Sequence, residues 1–187
     1  TYQNLGGDDT VDSDGDNTTG QTTSIITTAG VNQGAVDFGL YRPITIGDYV
    51  WEDADNDGIQ DGGESPVANA VISLSGTDGG GIAVSQATTT DNSGNYSFVG
   101  LRPGTYVIDF VAPFGGNPST ANVGTDPALD SDADESTGES PALTLLSGSV
   151  VDTIDAGFTF TELCGNGVDD DGDGLIDLIE AQATTGS

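Results

Sequence analysis

The sequence predicts an all-β protein of the two-sheet sandwich class, on three observations. Short β-prone runs alternate with turns rich in Gly, Asp, Asn and Ser. Glycine is plentiful, with 29 residues in 187, while helix-favouring runs are nearly absent. About seven such runs fall within just over a hundred residues, the density of a β-sandwich.

Taken in order, Ile44–Trp51 reads as a first strand that leads into an acidic loop. Further strands are expected near Ala70–Leu74, Ile82–Thr89, Asn95–Phe98, Thr105–Phe110, Leu143–Leu146 and Ile154–Phe160. Thr90-Asp91-Asn92-Ser93-Gly94-Asn95 is a plain turn sequence. Pro103-Gly104 suits the two central positions of a type II turn. Val107, Ile108, Phe110 and Val111 mix alternation with an apolar run, as an inner sandwich strand does.

The chain matches itself without gaps at an offset of 118 residues. Asn4-Leu5-Gly6 falls on Asn122-Val123-Gly124, Asp8 on Asp126, and Asp12-Ser13-Asp14 on Asp130-Ser131-Asp132. Asp16 meets Asp134, Thr19-Gly20 meets Thr137-Gly138, and Gly30 meets Gly148. Asp37 and Gly39 then fall on Asp155 and Gly157, with Ile25 and Val36 over Leu143 and Ile154. A period of this length marks tandem domains. The expected division is residues 44–160 as one complete repeat, 1–43 as the C-terminal half of a preceding one, and 161–187 as a linker. Half a sandwich leaves open edges and a bare apolar face. Its other strands are therefore expected from a longer polypeptide, of which this chain is a slice, or from a neighbouring chain in a fibre.

Charge narrows the function. There are 31 acidic residues against two basic ones, Arg42 and Arg102, with no histidine and a formal charge of −29. Such a chain is repelled by nucleic acid and by anionic membrane surfaces, and its natural partners are cations. No apolar run approaches the ~20 residues of a membrane-spanning helix, and neither a signal peptide nor a sorting tail is visible. Without histidine, Ser-His-Asp and Cys-His catalysis are excluded, and zinc is poorly served by one cysteine, Cys164. Paired carboxylates can hydrolyse glycosides, but cation spacing accounts better for the acidic clusters here. The expectation is a protein that is not an enzyme.

Residues 53–64 have the spacing of a twelve-residue calcium loop. Asp53, Asp55 and Asp57 take positions one, three and five, Gly58 the sharp turn, and Ile59 offers its carbonyl at seven. Asp61 stands at nine and Glu64 at the bidentate position twelve. A hard cation that needs six to eight oxygens draws alternate side chains inward while the loop coils around it. Strands before and after predict a clip between strands, without the hinged helix pair of a calcium sensor. Residues 169–180 repeat the arrangement with Asp169, Asp171, Asp173, the Leu175 carbonyl, Asp177 and Glu180, and a short helix could follow. Asp130, Asp132 and Asp134, with their counterparts Asp12, Asp14 and Asp16, form a looser alternating pattern that lacks a twelfth-position glutamate. A solvated acidic turn is the alternative for each cluster.

Four segments carry a family resemblance. IGDYVWEDADNDGIQDGGESPVANAVISL, TTTDNSGNYSFVGLRPGTYVIDF, DSDAD and DAGF, in this order, resemble the B-type repeat domain of serine-aspartate-repeat surface proteins, which is related to that of collagen-binding adhesins. The resemblance covers 44–160 in full and 1–43 as a half copy. It implies a transthyretin-like (prealbumin-like) sandwich, several bound Ca2+ ions, and a stalk module of a secreted or surface-attached bacterial protein. Some relatives carry a lysine–asparagine isopeptide crosslink, which a chain without lysine cannot form. Residues 161–187, with CGNGVDDDGDGLID, resemble an EF-hand-like segment of secreted bacterial proteins. Its usual second cysteine is replaced here by Leu178.

Two other functions fit parts of the sequence. In a ligand-binding adhesin module, Tyr2, Tyr41, Trp51 and Phe114 would lie exposed to a glycan or a matrix protein, although aromatics in sandwiches more often pack. A salt-adapted protein would also be acidic and poor in lysine. Asn17-Thr18-Thr19 and Asn95-Tyr96-Ser97 match the N-glycan acceptor pattern, and Thr10 and Thr153 resemble O-glycan sites.

Overall fold

The computed structural model describes residues 2–160 apart from positions 5–7, 9, 11, 17, 33 and 35. The predicted loop at 169–180 and Cys164 lie outside the described residues. Nine strands are described: β1 (Ile44–Glu52), β2 (Val71–Asp78), β3 (Ala83–Thr89), β4 (Asn95–Leu101), β5 (Gly104–Val111), β6 (Asn117–Pro118), β7 (Leu143–Leu145), β8 (Val150–Val151) and β9 (Ala156–Thr159). One 3-10 turn, Pro113–Gly115, accompanies them.

These strands form two sheets, β3-β2-β5-β7 and β4-β1-β9-β6, with β8 also on β1. Strands β2 and β5 run antiparallel over eight residue pairs, Val71 with Val111 through Asp78 with Gly104. β1 pairs antiparallel with β4 on one edge. Its other edge is shared by β8, at Thr45 and Ile46, and by β9, at Val50 to Glu52, both parallel.

Period-two burial builds the core. Ile72 and Leu74 of β2, Tyr96 and Phe98 of β4, and Tyr106, Ile108 and Phe110 of β5 point inward, and their neighbours face outward or lie half-buried. Ile44, Ile46 and Val50 of β1 and Phe158 of β9 close the layer from the second sheet. Each large apolar side chain buried this way contributes roughly 1.5–3 kcal/mol relative to exposure. Tyr96 packs edge-on against Phe110 with centroids 5.6 Å apart, and its hydroxyl donates to the Ile154 carbonyl at 2.7 Å.

The all-β sandwich predicted from the sequence is what forms, with three differences in detail. β6 and β8 are two-residue strands, too short for periodicity to reveal. Val107 and Val111 belong to a strict alternation rather than to an apolar run. Gly104 is the first residue of β5 and not the left-handed centre of a type II turn. Glycine is needed there because the Asp78 Cα and the Tyr106 hydroxyl crowd the place of a Cβ, at 2.8 and 3.0 Å. The turn at 91–94 is as expected: Asp91 Oδ1 accepts from the Ser93 and Asn95 amides at 2.8 and 3.0 Å.

Residues 2–41 repeat local details found 118 positions later. The Asp14 amide donates to the Asp37 carbonyl at 2.9 Å, as Asp132 does to Asp155 at 2.8 Å. The Asp37 amide donates to Asp14 Oδ2 at 2.6 Å, and Asp155 to Asp132 Oδ2 at 3.0 Å. Gly39 donates to Ser13 Oγ as Gly157 does to Ser131 Oγ. Strands β7 and β9 have no counterpart among the described residues of 21–40, where Ile26 is 83% and Leu40 90% exposed.

Candidate metal centre

The loop at 53–64 leaves the end of β1 and returns beside it. Glu52 donates to the Ser65 carbonyl at 2.8 Å and Val67 to the Val50 carbonyl at 2.9 Å, so hydrogen bonds join the two ends of the loop. Asp53 is buried, only 1% exposed; its Oδ1 and Oδ2 accept from the Asp57 and Gly58 amides at 3.1 and 2.9 Å. Gly58 has φ +78°, a conformation that costs glycine least. Glu64 reaches back across the loop, with one oxygen on the Ala54 amide at 3.0 Å and the other on that of Asp61 at 2.8 Å.

Among the described residues, Asp53, Asp55 and Asp57 form the group whose carboxylate oxygens lie within 4.8 Å of one another. Three like charges at such spacing in a site without a basic neighbour fit a divalent cation. Oxygen-only donors suit Ca2+ or Mg2+ rather than a thiophilic metal. The loop is also braced from outside. Ile59 bridges Asp130, Gln60 donates to the Leu129 carbonyl at 2.7 Å, and Ser131 donates to the Gly58 carbonyl at 3.1 Å.

Asp130, Asp132 and Asp134 are not gathered in this way. Asp134 is exposed, and its Oδ1 caps its own turn by accepting from the Ser136 and Thr137 amides at 2.9 and 3.0 Å. Asp16 does the same for Thr18 and Thr19 in the first copy. Asp130 is buried beside the loop, with Oδ1 lacking a protein partner. Asp132 turns towards Asp155, as Asp14 turns towards Asp37.

Two acids that the sequence reading passed over complete this second cluster. Asp155 is fully buried between β8 and β9, where its Oδ1 accepts from the Tyr49 amide at 3.2 Å while Oδ2 has no partner. Asp48, on β1, is close enough for the two carboxyls to influence each other's charge. Burial, then the nearby charge of Asp48, raises the Asp155 carboxyl well above its ordinary range; burial also raises Asp48. Burial foremost, with the charges of Asp130 and Asp48, pushes Asp132 up to about 6. Three desolvated carboxyls with no counter-charge must keep protons or gain a cation. The signal for Asp155 was present, since it repeats Asp37; a single acid in an apolar stretch does not look like a ligand cluster.

Of the aromatic residues considered as ligand contacts, Trp51 is buried, packed over Gly157, and Phe114 is exposed.

A tandem β-sandwich module with an oxygen-lined loop at the end of its first strand is the class that fold and site define. Residues 44–158 match the SdrD B-like domain family, and the chain belongs to that family. It is 39% identical over 159 residues to serine-aspartate repeat-containing protein F of Staphylococcus epidermidis, a match covering 84% of this chain and 9% of that protein. It is 43% identical over 108 residues to serine-aspartate repeat-containing protein C of Staphylococcus aureus, covering 58% and 11% respectively. The chain thus spans about a tenth of the length of these relatives. Among solved structures it is similar to the minor pilin GBS52 of Streptococcus agalactiae, at 18% identity and a TM-score of 0.37, covering 65% of this chain and 47% of that one. Residues 44–158 are thus a domain of the kind carried by the serine-aspartate repeat-containing proteins. No described helix is long and apolar enough to cross a membrane.

Proposed function

We propose that the chain is a stalk segment of a tandem-repeat surface protein, stiffened by Ca2+. The observation that carries this reading is the loop at 53–64. Its three convergent aspartates repel one another, while Glu64 already spans the loop with both oxygens and stands ready to serve as the bidentate ligand. A divalent ion turns that repulsion into attraction and locks the end of β1 to the returning strand. The buried Asp130 oxygen and the Asp48–Asp132–Asp155 cluster support a further cation behind the loop. Asp12, Asp14 and Asp16 would serve the preceding repeat, and Asp169 to Glu180 the linker beyond. Residues 1–43 are read as that preceding repeat's C-terminal half, completed by strands from the same polypeptide.

Binding to the folded state alone stabilises it by ~2.7 kcal/mol per site when calcium is a hundredfold above the dissociation constant. Sites of extracellular modules bind at ~10⁻⁴–10⁻³ M, which matches calcium outside the cell. The test is a calorimetric calcium titration with melting in excess chelator. Calcium should raise the melting temperature and protect residues 53–64 from protease. Glu64→Gln should weaken the first site far more than Gln60→Ala, and an unchanged melt in chelator refutes the proposal.

A further inference from the structure

Arg102, one of the two basic residues of this −29 chain, lies where residues 2–41 meet the complete repeat. The Arg102 guanidinium, in the connection between β4 and β5, sits 4.5 Å from the Tyr2 ring centroid and 5.3 Å from that of Tyr41. The Tyr2 hydroxyl donates to Asp78 at the end of β2, and its ring lies so close over Gly80 that a Cβ there has no room. Asp78 is itself held by the turn, accepting from the Gly80 and Ile82 amides at 3.0 Å each. On the far side, the Arg42 amide donates to Ser147 Oγ at 2.8 Å, and the Gly148 amide donates to the Arg42 carbonyl at 3.0 Å. The connecting segment is thus gripped between the β4–β5 turn and the β7–β8 turn.

We infer that Tyr2, Tyr41 and Arg102 form a metal-independent clamp that fixes the angle between this repeat and the one before it. A guanidinium between two aromatic faces is favoured by the ring quadrupoles and is planar enough to stack on both. The clamp is also specific to position. The residues 118 places after Tyr2 and Tyr41 are Thr120 and Thr159, so the far end of the complete repeat offers no such pair. The partner this surface fits is a repeat that presents two tyrosines beside its exit strand.

The inference rests on reading residues 1–43 as part of the preceding repeat, and its test is independent of calcium. Residual dipolar couplings would be measured on the full chain for amides of residues 13–16, 18–20 and 44–158, with calcium and with chelator. With the clamp closed, both groups fit one alignment tensor of equal magnitude in both conditions. Arg102→Gln and Gly80→Val should each lower the magnitude for residues 13–20 at least twofold, and Arg102→Lys should restore only a small part of it, because an ammonium has no plane to stack on the two rings. Residues 44–158 should keep their own tensor throughout. Independent tensors in the unaltered chain, or equal tensors in Arg102→Gln, would overturn the clamp. So would a joint that loosens in chelator with Arg102 intact. Protease sensitivity at 53–64 reports separately on the calcium reading.

Discussion

Residues 12–40 and 130–158 carry one sequence pattern in two surroundings. Their hydrogen-bonded turns are the same: Asp16 and Asp134 cap, and Gly20 and Gly138 adopt positive φ. The longer-range Asp14–Asp37 and Asp132–Asp155 pairs also close alike. Their strands differ completely. Phe158 is 1% exposed in β9, and Leu40, its counterpart, is almost bare. Where Gly157 lies under Trp51, Gly39 lines an open hollow of about 310 Å3 with Phe38, Leu40 and Tyr41. Turns depend on contacts a few residues away, whereas strands need a neighbour to pair with and a face to bury. The acidic loops are local structure, and the sandwich around them is not.

The largest test of this contrast restores the missing neighbours. Fusing a copy of residues 44–118 directly ahead of residue 1 continues the 118-residue register without a break. Hydrogen-exchange protection of residues 25–40 should then rise on the order of 10³-fold or more, as local opening gives way to the stability of a folded domain. Protection that stays at the level of an open segment would break the equivalence of the two copies.

Single substitutions sharpen it next. Phe158→Ala should cost about 3–5 kcal/mol in chemical denaturation, because it removes a buried ring from the core. Leu40→Ala, at the equivalent place, should change stability by less than about 0.5 kcal/mol. Comparable losses at both positions would mean that residues 2–40 already share the core of the complete repeat.

The comparison can also be sharpened through pH. The folded-state pKa values of Asp132, about 6, and of Asp155 lie above the ~3.9 of an unfolded aspartate. The folded state therefore binds more protons, and metal-free stability falls as pH rises. The decline should start near pH 4, run through about 6 with Asp132 and continue beyond it with Asp155. Melting temperatures in chelator between pH 4 and 9 would show it, and Asp132→Asn should flatten the lower part. Saturating calcium should reverse the slope if the cluster takes an ion.

How much could be read in the sequence follows the same division. The gathering of Asp53, Asp55 and Asp57 was legible because their spacing lies within one short loop, and β2, β4 and β5 because period-two burial marks them. Asp48 and Asp155 were not: they are 107 positions apart, and the fold that brings β1 beside β9 makes them neighbours. The Tyr2–Arg102–Tyr41 grouping was hidden for the same reason. Gly104 misled because Pro-Gly resembles a turn, whereas its lack of a side chain serves close strand packing.

The parallel pairing of β1 with β8 and β9 has a mechanical consequence. The first and last strands of the complete repeat lie side by side and run the same way, so the chain enters and leaves at opposite ends of the module. A pull along the polypeptide drags β1 and its partners past each other lengthwise. Their hydrogen bonds and interlocked side chains then share the load and must yield together rather than peel apart one at a time. For a tether stretched by flow, resistance set by the barrier to forced unfolding matters more than equilibrium stability.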